Sequence, residues 1–286
     1  MTRRAWTAIA VALAVNVTVV ALAVGLDGRG RADTSAVASV ADALVSRVED
    51  RATPEPSSSS STTPSTTSTT STTKPDPLAL PPPPVPTVGA LPTDPGGAPL
   101  VSRVPTTDRV VFVTIDDGLV QDPAVVDTVR RLRIPVTLFL VRDFAQQGQA
   151  YFQQFVDLGG VVEAHTVNHP NLTTLSANGQ YSEICGPLDA LEQMFGRRPV
   201  LFRPPGGAYN ATTQSIAASC GYRYVVNWTA AANDGRIDWQ AKTMQPGDIV
   251  LFHFRKDLVQ NLELLAAMCR QQGFTVARLE DYLVPS

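Results

Sequence analysis

Histidine and cysteine are both scarce, with three of each in 286 residues. The cysteines, Cys185, Cys220 and Cys269, contain no C-x-x-C spacing, which argues against a cysteine-built metal site. In an oxidising compartment three thiols allow one disulfide and leave one over, unless all three are simply buried small side chains. If a bridge forms, Cys185–Cys220 is the expected pair, because those residues fall on consecutive predicted helices. An excess of positive charge is missing as well. The 23 Lys+Arg against 26 Asp+Glu leave a formal charge of −3, which argues against a nucleic-acid partner. No internal repeat is visible. Charge is absent altogether from residues 5–26, AWTAIAVALAVNVTVVALAVGL.

A helix over that uncharged run, at about 1.5 Å per residue, spans roughly 30 Å of hydrocarbon. Arg3 and Arg4 precede it. Basic flanks stay on the cytoplasmic side, so the remainder of the chain is expected outside. Residues 1–27 are accordingly read as a transmembrane anchor of a single-pass cell-membrane protein. The alternative is a signal peptide cut near Ala21-Leu22-Ala23, giving a secreted product. The run exceeds the roughly 7–15 residues of a signal's apolar region, which favours the anchor. Residues 53–107 are dominated by Pro, Ser and Thr, as in SSSSSTTPSTTSTTSTTKP and PPPPVP. Such sequence has too little apolar surface to offset its ordering entropy. The whole of 28–107 is therefore expected to be a disordered stalk, extended where proline is dense.

Residues 108–286 change character and suffice for one sizeable core. VVFVTI (110–115) is a continuous apolar run, as a strand buried on both faces would be. DPAVVDTVRRLR follows, with Asp122 placed to cap a helix and Pro123 at its first position. Strands are then expected at VTLFL (136–140), GGVVEA (159–164), VLF (200–202), YRYVVNW (222–228), DIVLF (248–252) and FTVA. Helices are expected near 144–158, 176–195, 210–220 and 258–272. This alternation indicates parallel βα units, in a barrel or a doubly wound sheet. In both, ligands gather beyond the C-terminal ends of the strands.

The residues able to do chemistry fall at those ends. Asp116 and Asp117 close the first strand, where Asp-Asp-Gly is also ordinary turn chemistry. Neighbouring strand residues point opposite ways, so one acid can reach a metal while the other stands beside a substrate. His165 and His169, in HTVNHP, follow the strand VVEA. Imidazoles four apart can share one ion when the backbone curls, and two nitrogens plus one carboxylate would leave positions open for water and substrate. His253 ends DIVLFH, where a lone histidine is more often structural. Arg203 leads RPPGG, and its permanent charge suits it to lock a neighbouring carboxylate, while main-chain N–H groups at Gly206 and Gly207 are suited to an oxyanion. NWTAAANDGRIDW supplies Trp228, Asp234, Asp238 and Trp239, any of which can be core or loop surface.

Together TIDDG, HTVNHP, RPPGG, the Asp/Trp segment and PGDIVLFH resemble, in order, the five motifs of the NodB-homology polysaccharide deacetylases, carbohydrate esterase family 4, over roughly residues 109–283. The resemblance implies a distorted (β/α)7-type barrel. It implies that Asp117, His165 and His169 bind a divalent cation, commonly zinc, with cobalt or other divalent ions accepted. Asp116 then resembles the general base, Arg203 the arginine that tethers it, His253 the general acid, and Leu251 part of the acetyl pocket. Gly206, Gly207, Trp228 and Trp239 fall among the substrate-binding positions. Two motifs depart from the pattern. Gly206 stands where the third usually carries tyrosine, and in the fourth the usual Arg-tethering Asp falls on Ala231, leaving Asp234 or Asp238 as replacements. The implied function is removal of N-acetyl groups from an extracellular polysaccharide, with peptidoglycan N-acetylglucosamine or N-acetylmuramic acid favoured. The alternatives are a catalytically weak, metal-containing glycan-binding domain, and a hydrolase of non-glycan amides or esters on the same scaffold.

Overall fold

The computed structural model describes residues 78–284. The expected anchor and residues 28–77 of the expected stalk lie outside the described residues. Ten strands form one sheet: β1 (Leu100–Val101), β2 (Val110–Asp117), β3 (Val136–Leu140), β4 (Val161–Ala164), β5 (Leu201–Phe202), β6 (Tyr224–Val226), β7 (Ala230–Asn233), β8 (Arg236–Trp239), β9 (Ile249–His253) and β10 (Thr275–Ala277). Their order is β1-β6-β5-β4-β3-β2-β9-β7-β8, with β10 added beside the start of β2. Every pairing is parallel except the β7–β8 hairpin. The arc does not close by strand pairing between β1 and β8. Arg103, two residues past β1, reaches instead to the start of β9, where its guanidinium meets the buried Asp248 carboxylate at 2.6 Å. The result is an α/β half-barrel, which meets the sequence expectation in its coarse form.

Alternation along the strands explains why their sequences are apolar throughout. Val111, Val113 and Ile115 of β2 join the core shared with the helices, whereas Val110 and Phe112 face the barrel interior. The interior is plugged by a short helix, Leu279–Leu283, whose Tyr282 ring packs edge-on against Phe112 with centroids 5.0 Å apart. Thr114, Asp116, Thr137, Glu163 and Arg203 are among the polar members of this inner layer and are all buried.

The helices begin and end where local chemistry dictates. α1 (Pro123–Leu132) starts with the Asp122 side chain accepting from the Ala124 N–H and with proline in the first turn. The expected 144–158 helix is two, α2 (Arg142–Gln147) and α3 (Gln149–Asp157), parted at Gly148. The expected 176–195 helix is likewise α4 (Ala177–Cys185) and α5 (Leu188–Phe195), parted at Gly186-Pro187, where proline offers no N–H. α6 (Ala211–Ser219), α7 (Leu258–Gln272) and α8 (Leu279–Leu283) complete the set. Cys185 and Cys220, at the ends of α4 and α6, form the expected disulfide, and Cys269 stays free and buried in α7. Closing a 35-residue loop, the bridge is worth about 3–4 kcal/mol in the chain-entropy view.

The domain boundary moves. Residues 78–107, expected as the end of a disordered stalk, pack on the domain as a strap. Leu80 is buried and its N–H donates to Leu132 O, the Arg270 guanidinium binds Leu78 O, and the Thr275 hydroxyl binds Pro81 O. Further on, Val101 and Val104 enter the interior core and β1 pairs with β6. Composition concealed this, because a few apolar residues, Leu80, Ala98, Val101 and Val104, carry the burial among many prolines.

Candidate active site

Five parallel strands deliver their C-terminal ends to one place. Asp116 is the last inward residue of β2, two beyond Thr114, and is 2% exposed. In the parallel register Thr114 lies opposite Leu251 and Asp116 opposite His253, so these four share one face of the β2–β9 pair. Asp117 takes φ 78°, a left-handed conformation uncommon for a residue with a side chain, and turns away from simple alternation.

His165 follows β4 and is 1% exposed. Its Nδ1 lies 2.7 Å from the Arg203 carbonyl, which can only accept, so the proton sits on Nδ1 and Nε2 keeps its lone pair. That Nε2 is 3.6 Å from Asp117 Oδ1 and 3.7 Å from Asp116 Oδ2. Burial lowers the His165 pKa, against the pull of Asp116 and then Asp117, keeping the ring neutral and fit to ligate. His169 brings its Nε2 to 3.3 Å from the same Asp117 oxygen. The H-T-V-N-H segment is no helical turn. Thr166 and His169 both have positive φ, at 70° and 67°. The loop is pinned by Glu183, which accepts from the Val167 and Asn168 N–H groups, and by the Thr166 hydroxyl, which accepts from His169 N–H.

Asp117 Oδ1 is buried and has no hydrogen-bond donor. An orphan carboxylate oxygen facing an imidazole lone pair is an arrangement that a cation relieves. The ligand atoms of Asp117, His165 and His169 lie within 4.8 Å of one another, and one carboxylate with two imidazoles suits a divalent ion with open positions. The residues therefore fit a divalent metal.

Beside this triad stands an ion pair. Arg203, fully buried just after β5, places Nη1 2.7 Å from Asp116 Oδ1. The guanidinium lies over Phe139 at 4.2 Å and near Trp228 at 5.6 Å. His253 completes the group from β9. Its pKa is lowered by burial, with Asp116 and Asp117 opposing and Arg255 and Arg203 assisting, and its Nδ1 is buried without a partner.

Several expected residues go elsewhere. Neither Asp234 nor Asp238 forms an ion pair with Arg203. Asp238 pairs with Arg236 on the exposed hairpin surface, and Asp234, at φ 49°, sits with Gly235 in the two-residue β7–β8 turn, its N–H bound to Asp257. Asp-Gly between extended segments is a hairpin signal that could have found this turn. Arg203 is held instead by Thr114 Oγ1, Val226 O and Asn227 O. Thr114 was legible as the only polar residue in the apolar run, two before Asp116. Trp239 packs with the helix-side core, as its neighbour Ile237 does, whereas Trp228 joins the interior cluster. Gly207 does not offer its N–H to an oxyanion, since it donates to Pro204 O; a Cβ there would meet Trp228 at 3.0 Å and Asn227 at 3.3 Å. Gly206, at φ 62°, opens onto free space.

Comparison with known proteins agrees with this picture. The polysaccharide deacetylase family profile matches residues 103–225. An uncharacterized Streptomyces coelicolor protein is 39% identical over 192 residues, 65% of this chain and 77% of that one. The peptidoglycan-N-acetylglucosamine deacetylase of Bacillus cereus is 25% identical, over 63% of this chain and 91% of its own length. Among solved structures, PdaA of Bacillus subtilis, a family 4 carbohydrate esterase, superposes with a TM-score of 0.56 at 23% identity, covering 64% of this chain and 84% of that one. A Bacillus anthracis family 4 pseudoenzyme superposes with a TM-score of 0.59 at 19% identity, covering 65% and 69%. At such identities the two structures speak for the fold alone. With sequence relatives, fold and the converging strand ends in agreement, this chain belongs to the polysaccharide deacetylase family.

Proposed function

We propose that the domain hydrolyses the N-acetyl groups of an extracellular glycan, with peptidoglycan N-acetylglucosamine or N-acetylmuramic acid the favoured target. The observation that carries this reading is the buried, donorless Asp117 Oδ1 facing two imidazoles, beside an Asp116–Arg203 pair and opposite His253. The relatives that deacetylate peptidoglycan support the polymer. So does the expectation, from sequence, of an anchor and stalk that would put the domain among wall strands.

Asp117, His165 and His169 would hold the divalent ion, with zinc the first choice. When bound, such an ion supplies Lewis acidity, polarising an amide carbonyl and making a nearby water more acidic. The rest belongs to side chains of this chain. Arg203 engages Asp116 Oδ1 and leaves Oδ2 as the oxygen to take a proton from the attacking water. Gly206 N–H is the donor left in its loop for the developing oxyanion, where a well-placed donor lowers the barrier by about 2.7–4 kcal/mol. His253, on the neighbouring strand, would give a proton to the leaving amine. Its lowered pKa makes the protonated ring a ready donor and thins its population as pH rises. Leu251, buried beside Thr114, would receive the acetyl methyl, with Trp228 beside the sugar.

Acetate release from N-acetylated muropeptides and chitooligosaccharides, followed by mass spectrometry with and without a chelator, tests the proposal. A loss of 42 Da units that stops on chelation is expected for glycans. Release unaffected by the chelator overturns the metal reading. A second reading, a glycan-binding domain with weak catalysis, draws on the lack, among the described residues, of a second carboxylate at Arg203. It predicts glycan binding without acetate.

A further inference from the structure

We propose that Thr114 is the positioning residue that aims Arg203 at Asp116, in place of a second carboxylate. The inference rests on the reading above, in which Asp116 moves the proton. A guanidinium has five N–H donors in a rigid fork, and a buried one that is loosely held can swing away from its partner. Asp116 is the one carboxylate paired with Arg203 among the described residues. The remaining contacts go to neutral oxygens: Nη1 to Thr114 Oγ1 at 2.8 Å, Nε to Val226 O at 3.2 Å and Nη2 to Asn227 O at 3.3 Å.

Thr114 makes the shorter of these neutral contacts and its geometry is fixed twice over. Its own hydroxyl proton goes to Val250 O, 2.8 Å away on β9, so its lone pairs are turned toward Arg203. Being β-branched, it has little freedom about χ1, and it is fully buried. Nη1 has two protons. One meets Thr114 Oγ1, and the other meets Asp116 Oδ1 at 2.7 Å. The hydroxyl thus sets the plane of the fork, which fixes the oxygen of Asp116 that Arg203 engages and the one it leaves for the substrate. Val250 lies two residues before Phe252 and three before His253, so the same relay ties the Asp116–Arg203 pair to the strand bearing the imidazole. Charge would fasten a guanidinium to a second acid. Here geometry does it, and the cation's whole field falls on Asp116.

The test is a set of variants in the metal-loaded full chain: Thr114→Ser, Thr114→Val, Thr114→Cys and Thr114→Ala. Metal content, Tm, kcat and KM are measured for each, alongside wild type. Removing an outer-shell partner typically costs about 10–100-fold in activity. The expected order of kcat is Thr and Ser together, with Val, Cys and Ala about 10–100-fold lower, at unchanged KM and metal content. A packing role instead raises Val to wild type and lowers Ser toward Ala, because Val keeps the γ-branch that Ser and Ala lose. Ser falling with Ala, or Val matching wild type, overturns the inference. If one variant fails to fold, the ranking of the other three still decides. Should wild type release no acetate from any glycan, the proposed function falls by itself. Crystal structures of the Ser and Ala variants then judge Thr114: the Arg203–Asp116 contact is expected kept in Ser and lost in Ala, and its survival in Ala overturns the proposal.

Discussion

Two ends of one barrel interior treat buried acids in opposite ways. At the end that bears the site, Asp116 is 2% exposed and meets a guanidinium that is itself fully buried. At the other end, Glu163 and Glu280 are 0% and 6% exposed. Glu163 has Arg197 at 2.8 Å and two backbone N–H donors, yet burial still pushes its pKa up to about 7. Glu280 has the Thr137 hydroxyl, and burial, then Glu163, push it up to about 8. Depth alone therefore does not decide the outcome. The Arg203 side chain is shut off from water, whereas that of Arg197 is 40% exposed and its field is screened. A buried cation meets the acid at the upper end; at the lower end burial raises both glutamates, and Glu280, which pairs with the Thr137 hydroxyl rather than a cation, is raised the further.

The comparison can be broken most sharply at the upper end. Asp116→Asn should lower kcat for acetate release by about 10³-fold while metal content, measured by mass spectrometry, stays at wild-type level, because Asp117 and the histidines are untouched. Near-full activity in this variant would remove Asp116 from its role. Arg203→Met should follow, costing about 3–5 kcal/mol in denaturant unfolding, since Asp116 is then buried without its cation. Glu280→Gln probes the lower end through pH. In the folded chain this carboxyl, at about 8, keeps its proton where an unfolded one, near 4.5, has lost it. Its contribution is full below about 4.5 and is lost as pH rises through about 8, so the variant should gain on wild type by about 2–4 kcal/mol at pH 9 and by little at pH 5, seen as a Tm difference that grows with pH. The smallest effect is expected from Asp238→Ala, whose exposed pair with Arg236 is worth about 0–1 kcal/mol, with kcat within two-fold of wild type.

Much of this was legible in sequence wherever one strand or one cap suffices. VTLFL is β3 at its expected bounds and 258–272 is α7 at its own, because apolar period and the glycine after the helix are local signals. Asp116, Asp117, His165, His169, Arg203 and His253 converge because each lies at or just beyond the C-terminal end of a strand, and those ends of parallel units share one side of the sheet. What stayed hidden depends on partners far along the chain. No local pattern says that Arg203 is held by the carbonyls of Val226 and Asn227, since backbone oxygens have no signature. Trp239 sits on the helix side because hairpin pairing with β7 sets its parity. The strap was missed because its burial comes from scattered residues in a composition that otherwise reads as unfolded.

The strap's first anchors have a directional meaning. Leu132 closes α1 ahead of β3, and Arg270 and Thr275 flank the turn from α7 into β10. All three contacts are on the helix-to-strand side of the barrel, the pole opposite the catalytic mouth. Leu78, the first described residue, thus sits at the pole behind the mouth. A pull applied at Leu78 would therefore act on that pole and leave the mouth facing the other way.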